Sequence, residues 1–419
     1  MSPRRHPAGG WHGTALSRRT FLRDCALFAG AAGACSLPLL ASAIERSTVI
    51  APTPTPAPAP ATATALAPVM IDSNEFPDGP SAAAVKAIAQ IAPQGRRYLL
   101  QVQMELMTTL AAELTLPVDH LMAYAGSTEP LDYTMLAFTS PSAALVTADP
   151  TYESGWRAAT RNGARLIKVP LRKDFSHDVQ AMCAADANVG VIYICNPNNP
   201  TGSVTARRDL DDALAHKPKG SVLVVDEAYI HFAQSTRSMV DMVAAGEDVV
   251  VLRTFSKRYG MAGIRLGYAA ARPDLLAKLT FYSVNSLPVT AVAAGLASLR
   301  DPALVPQRRA RTAATRRDVM KFLGKHGYAC TTSESNCFMV DVKRPAAGFK
   351  DDVATHGVFI GRSWPVWPTW SRITVGTEAE MARFKQAFVQ VMAGERGPLP
   401  VPAIASAATD PMEAFFRYA

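Results

Sequence analysis

Seven short runs of aliphatic and β-branched residues recur through the middle of the chain, at 121–124, 144–147, 166–169, 189–194, 222–225, 249–252 and 266–271. They are close to continuously apolar, which predicts strands covered on both faces. Helix-like stretches lie between them, among them 153–161, 206–215 and 239–245. Strand and helix in alternation predict an α/β fold, with a mostly parallel, seven-stranded sheet in a three-layer large domain over residues 96–280. In such a sheet, ligands gather at the loops leaving the carboxyl ends of the strands.

After Pro288 the pattern changes. Two long helical stretches, 289–300 and 303–325, precede strands at 337–342, 358–361 and 371–375, and a last helix runs from 378 to about 392. This predicts a smaller α+β domain over 281–394, completed by the segment 69–95. Residues 395–419 read as a loose tail, and no internal repeat is present.

Nearly half the residues are apolar and 19% are charged, an ordinary globular balance. The net charge of +8 suggests a nucleic-acid partner, but the first 46 residues supply about half of it. No winged-helix, RNA-binding or zinc-ligand spacing supports such a partner, so neither nucleic acid nor metal is expected. A further basic run, Arg308, Arg309, Arg311, Arg316 and Arg317, falls in a helical stretch and reads as a solvated helix face.

The amino-terminal stretch Ser17-Arg18-Arg19-Thr20-Phe21-Leu22-Arg23, followed by a short Gly/Ala-rich apolar run, resembles a twin-arginine export signal. Ala41-Ser42-Ala43 fits a cleavage site, and Cys35 is an alternative lipid-attachment cysteine. Residues 1–43 are therefore read as an address for the twin-arginine translocase, with the bacterial periplasm as destination. Residues 44–68 read as a Pro/Ala/Thr-rich linker, in which proline alternates with alanine or threonine over 51–60. Such a run denies the backbone its donors and predicts an extended spacer. An oxidising compartment permits disulfides, and Cys330 and Cys337 could lie on neighbouring strands. Spacing establishes no bond, and buried free thiols are as consistent.

The polar residues that follow the apolar runs are chemically distinctive. Gly126-Ser127-Thr128-Glu129, Asn196-Pro197-Asn198-Asn199-Pro200-Thr201-Gly202, Asp226-Glu227-Ala228-Tyr229 and Thr254-Phe255-Ser256-Lys257 each begin at or shortly after the end of a strand. With Pro150-Thr151-Tyr152, Arg265 and Arg372, their order resembles the fold-type I aminotransferases that use pyridoxal 5′-phosphate. The match extends over about residues 70–392. Asn74-Glu75-Phe76-Pro77, with Gly79-Pro80-Ser81, further resembles the histidinol-phosphate aminotransferase branch.

The resemblance implies a role for each residue. Lys257 would condense with the cofactor aldehyde and later carry a proton from the substrate Cα. Asp226 would keep the pyridine nitrogen protonated, so that the ring can accept electrons. Asn199 and the Tyr229 hydroxyl would donate to the ring's 3′ oxygen. The phosphate would be held by Ser127 and Thr128 at a helix N-terminus, by Ser256 and Arg265, with Thr254 a weaker candidate. Tyr98 would reach the phosphate across a homodimer interface. Tyr152 would stack on the ring, and Arg372 would grip the substrate α-carboxylate with its planar fork. The activity implied is transfer of an amino group between an amino acid and a 2-oxo acid. Decarboxylation, racemisation or elimination are the rival reactions, and a non-catalytic sensor is a third possibility.

Two features depart from the branch. Where an arginine helps hold the substrate's own phosphate, Gly361 stands, with Arg362 one position later, and a one-residue slip turns a side chain to the other face. The stretch 363–370 is also unusually aromatic and would line an apolar pocket or pack the smaller domain. Both put histidinol phosphate in doubt as the substrate.

Overall fold

The computed structural model describes residues 67–283 and 286–398. The expected export signal with Cys35, nearly all of the proline-rich spacer, and the tail beyond 398 lie outside the described residues.

The first strand, β1 (Val69–Ile71), belongs to the smaller domain. The large sheet is built from β2 (Leu121–Tyr124), β3 (Ala144–Asp149), β4 (Leu166–Pro170), β5 (Val189–Cys195), β6 (Val222–Asp226), β7 (Val249–Thr254) and β8 (Gly267–Ala270). Its order is β2-β8-β7-β6-β5-β3-β4, with β8 antiparallel to both neighbours and every other pairing parallel. Every residue of β5, β6 and β7 is buried. Successive residues alternate between two apolar layers. Ile192, Leu223, Val225 and Val251 pack on one face, and Val191, Tyr193, Val224 and Leu252 on the other. Period-two alternation with both faces covered explains why these strands read as unbroken apolar runs.

The smaller domain has β9 (Cys337–Asp341), β10 (Val358–Ile360), β11 (Ser363–Trp364) and β12 (Trp367–Thr374). β1 pairs in parallel with β10, and β12 lies between β11 and β9. Part of the aromatic stretch is thus a hairpin strand, longer than the 371–375 strand expected. Val69, Ile71, Phe338, Ile373, Phe384 and Phe388 are among the residues that form its core.

Two helices sit elsewhere than the sequence pattern suggests. Ala82–Ile91 and Val289–Leu299 bury Ala84, Ala291, Val292 and Leu296 in the layer beneath the large sheet, not in the smaller domain. The reason is close packing: Gly295 lies so near Leu266 that a Cβ there would collide with it. Helix Leu304–Lys325 then passes from that layer, through Leu304, to the core of the smaller domain, through Val319 and Leu323. Cys183, Cys195, Cys330 and Cys337 are free thiols. Cys330 does lie against β9, but opposite Val340 rather than Cys337.

Candidate active site

Topology brings the polar clusters to one edge of the sheet. The loops after β2, β3, β5, β6 and β7 carry Ser127, Tyr152, Asn199, Tyr229 and Lys257, and Asp226 is the last residue of β6. Since β2 is antiparallel to β8 and β8 to β7, all these strands end on the same side.

Asp226 is 2% exposed and sits in register opposite Cys195. Its Oδ2 accepts the Tyr193 hydroxyl at 3.0 Å and its Oδ1 accepts the Ala228 N–H at 3.0 Å. Burial pushes its carboxyl up to about 6, against the pull of those two donors and of the Lys257 charge. Lys257, just beyond β7, donates from Nζ to the Ser73 carbonyl at 3.3 Å. Its amine is lowered to about 8, first by burial and then by the positive charge of Arg372. A lysine that is partly neutral near physiological pH is a usable nucleophile, and a carboxylate held out of water is a strong partner for a cationic ring nitrogen.

Asn199 and Tyr229 lie across the same space. Arg372, on β12, donates from NH1 to Asn199 Oδ1 at 3.0 Å and from NH2 to the Asp72 carbonyl. Its buried Nε has no partner among the described residues, so the fork is only partly used. Asn198 has a different task. Its Oδ1 accepts from Thr151 at 2.7 Å and its Nδ2 donates to the Pro150 carbonyl at 3.1 Å, which ties the Asn196–Gly202 loop to the loop after β3.

A cradle for a phosphate lies at the start of helix Thr128–Phe138. Gly126 has φ 97°, and a Cβ there would collide with the Arg265 guanidinium. Arg265 donates from NH1 to Ser256 Oγ at 3.3 Å, and Thr254 Oγ1 donates to the same oxygen at 2.9 Å. Free helix N–H groups, two hydroxyls and a guanidinium therefore converge. Tyr152 lies beside this cradle, where burial pushes its hydroxyl above the ordinary range against the pull of the Thr128 and Ser154 side chains. Tyr98 is the one expected residue that stands apart, 75% exposed on the surface.

On the smaller-domain side, strand alternation puts Trp370, Arg372 and Thr374 on one face of β12. Phe175 from the large domain meets Trp367 and Trp370 edge-on, each at 5.7 Å between ring centres. Gly361 packs directly on Arg372: a Cβ there would lie 2.8 Å from its Nε and 2.9 Å from its carbonyl oxygen. Arg362 pairs with Glu153 at 2.6 Å and lies 4.1 Å over the Trp364 ring.

Several participants carried no functional signal in the sequence. Tyr193 is an ordinary apolar strand residue until the register places it against Asp226. Asn336 and Thr374 lie more than a hundred positions from Asn199 and Tyr229, and Asn74, part of a recognised motif, had no role assigned to it. The basic run is a solvated face only in part: Arg311 and Arg317 are exposed, whereas Arg308 is buried, donating to the Arg258 carbonyl at 2.9 Å and the Gly79 carbonyl at 2.8 Å, and buried Arg316 reaches the Ser335 carbonyl at 2.5 Å. Carbonyls left over at loop ends take the place of carboxylate partners there.

The donor set fits a phosphorylated pyridine aldehyde: an anion cradle, a depressed amine, and a buried carboxylate within reach of that amine's charge. Fold and site together define a fold-type I, pyridoxal-phosphate-dependent transferase. A model of the aminotransferase class I and II family matches residues 68–388, and the chain belongs to that family. It is 36% identical over 325 residues to a histidinol-phosphate aminotransferase of Symbiobacterium thermophilum, covering 76% of this chain and 89% of the relative. It is 33% identical over 334 residues to an aromatic amino acid aminotransferase of Cutibacterium acnes, covering 78% and 93%. The crystal structure of histidinol-phosphate aminotransferase from Sinorhizobium meliloti in complex with pyridoxal 5′-phosphate superposes with a TM-score of 0.72 at 25% identity, covering 78% of this chain and 91% of that one. The protein is an aminotransferase, and its cofactor is pyridoxal 5′-phosphate.

Proposed function

We propose that this aminotransferase takes α-amino acids with aromatic or apolar side chains, as an exported homodimer. The observation that carries the substrate reading is Gly361: with Arg372 packed against its Cα, that position offers no side chain to a substrate phosphate. The aromatic edge formed by Phe175, Trp367 and Trp370 supports it, as does similarity to an aromatic amino acid aminotransferase.

In this reading Arg372 would bind the α-carboxylate and so fix the orientation of the substrate Cα. The cofactor supplies an electron sink for the pair left when Cα loses its proton. Lys257 Nζ takes that proton, and Asp226 holds the proton of the ring nitrogen. Ser127, Thr128, Ser256 and Arg265 fix the phosphate, with Tyr98 of a partner subunit completing it. Tyr152 covers the ring. The exposure of Tyr98, Leu100 and Met104, at 55–75%, supports a second copy packed against that segment. The Arg18-Arg19 leader supports export through the twin-arginine translocase.

The test is a donor and acceptor screen on protein with and without residues 1–68. Phenylalanine, tyrosine and tryptophan are expected to give the highest kcat/KM, with the matching 2-oxo acids as products. Histidinol phosphate as the best donor, or release of carbon dioxide, overturns the reading.

A further inference from the structure

A chain of hydrogen bonds starts at Asn74, in the segment that follows β1. The Asn74 backbone N–H donates to Thr374 Oγ1 at 3.0 Å. A hydroxyl that accepts there has one proton of its own, and it goes to Asn74 Oδ1, also at 3.0 Å. The carbonyl end of the Asn74 amide is thereby fixed toward Thr374, and its Nδ2 faces the site. Nδ2 lies 3.1 Å from the Tyr229 hydroxyl, 3.3 Å from Cys337 Sγ and 3.5 Å from Asn199 Oδ1. Asn336 Nδ2 holds the Asn74 carbonyl at 2.9 Å. Asn74 is 1% exposed and has φ 52°, a conformation that asparagine and glycine tolerate.

This arrangement has a polarity. The Tyr229 hydroxyl accepts from Asn74, so its own proton points elsewhere. Asn199 Oδ1 accepts from Arg372 and Asn74, so its amide nitrogen points elsewhere too. Among the described residues, neither the Tyr229 proton nor Asn199 Nδ2 is donated to any protein group. Two unspent donors therefore face the space beside Lys257, whose Nζ lies 5.8 Å from the centre of the Tyr229 ring.

We propose that Asn74 is a positioning residue that sets the direction in which Tyr229 and Asn199 donate, turning both toward the 3′ oxygen of the cofactor ring. The proposal rests on the cofactor roles given above. Without Asn74, the Tyr229 hydroxyl is free to turn its proton away, and the oxygen anion loses a donor. The nitrogen contributed by Lys257 then holds its own proton more tightly, because the neighbouring negative charge is less well satisfied. The charged and titratable groups around this space, Lys257, Arg372, Arg265, Glu75, Cys337 and Cys195, with Asp226 beyond Lys257, are all retained when Asn74 is changed.

The experiment is a pH titration of the visible band of the cofactor-loaded, full-length protein, with cofactor affinity measured by fluorescence. Asn74→Gly keeps the backbone conformation and removes the amide. Asn74→Asp is isosteric and can only accept. Both are expected to raise the midpoint of the band by about one pH unit and to weaken cofactor binding. If Asn74→Gly does not fold, as judged by thermal melting, Asn74→Asp is read in its place only through its double variant with Tyr229→Phe, where a shift that persists in full is the added carboxylate's own charge and overturns the role. In the Asn74→Gly/Tyr229→Phe double variant, the midpoint should lie close to that of Tyr229→Phe alone. A normal wild-type band with an unmoved Asn74→Gly midpoint, or shifts that add in full, overturns the role of Asn74 alone. A wild-type protein that takes up no cofactor overturns the cofactor roles as well.

Discussion

Arg372 on β12 and Asn199 in the loop after β5 are joined by a 3.0 Å hydrogen bond, NH1 to Oδ1, between residues 173 positions apart. That bond couples the group assigned to the substrate carboxylate with one assigned to the cofactor, and it crosses from the smaller domain to the large one. Arg372→Leu removes both the charge and the fork. A loss of about 10²–10⁴-fold in kcat/KM is expected, corresponding to two charge-assisted hydrogen bonds. Arg372→Lys keeps the charge but not the planar geometry and should recover only part of it. Steady-state kinetics with a fixed 2-oxo acid measure both. Full activity in the lysine variant would show that charge alone suffices.

Asp226 is a case where stability and function pull in opposite directions. Its carboxyl titrates at about 6 in the fold against 3.8 when unshifted, so the folded state binds its proton more tightly than the unfolded chain does. The stability this group contributes to the cofactor-free protein is complete below about pH 4 and is lost as pH rises through 6. Asp226→Asn should therefore make the cofactor-free protein more stable at pH 8, by on the order of 1–3 kcal/mol. The gain should vanish near pH 4. Calorimetric melts at the two pH values measure the gain, and equilibrium titration with pyridoxal phosphate should show weakened binding. A variant that binds the cofactor as tightly as the wild type would remove Asp226 from the ring-nitrogen role.

The Lys257 amine, lowered to about 8 by burial and by Arg372, sets the pH dependence of cofactor capture. Only the neutral amine attacks an aldehyde. The bimolecular rate should climb about tenfold per pH unit below the midpoint and flatten above it. Arg372→Leu removes the second cause of the depression and should move the midpoint upward. Stopped-flow absorbance on cofactor-free protein between pH 6 and 10 reads the profile. A flat profile, or a wild-type midpoint above 10, would mean that the amine is not held in this environment.

The local sequence carried the strands of the large sheet and the chemistry at their ends. Burial on both faces demands unbroken apolar runs, and the residues that end those runs have nowhere to go but the sheet's carboxyl edge. Asp226, Asn199, Lys257 and Ser256 were legible for that reason. Adjacent acids were not distinguished by it. Glu227, beside Asp226, is spent on structure, with its carboxylate taking Arg253 Nε at 2.9 Å, Ser238 Oγ at 2.8 Å and the Met239 N–H at 2.7 Å.

What tertiary structure alone decided are the contacts between segments far apart in the chain. Tyr193 meets Asp226 only because β5 and β6 pair in a particular register. Arg308 and Arg316 read as solvated because their partners are backbone carbonyls, which no side-chain pattern reveals. Helix Val289–Leu299 joined the large-domain layer because glycine and alanine let it approach Leu266, a matter of packing rather than periodicity. Asn74 gains its meaning only where Thr374, Tyr229 and Asn199 converge on it. A short-range code specifies which backbone a residue adopts and which face it shows, whereas the direction of a proton depends on whatever the folded chain brings within 3 Å.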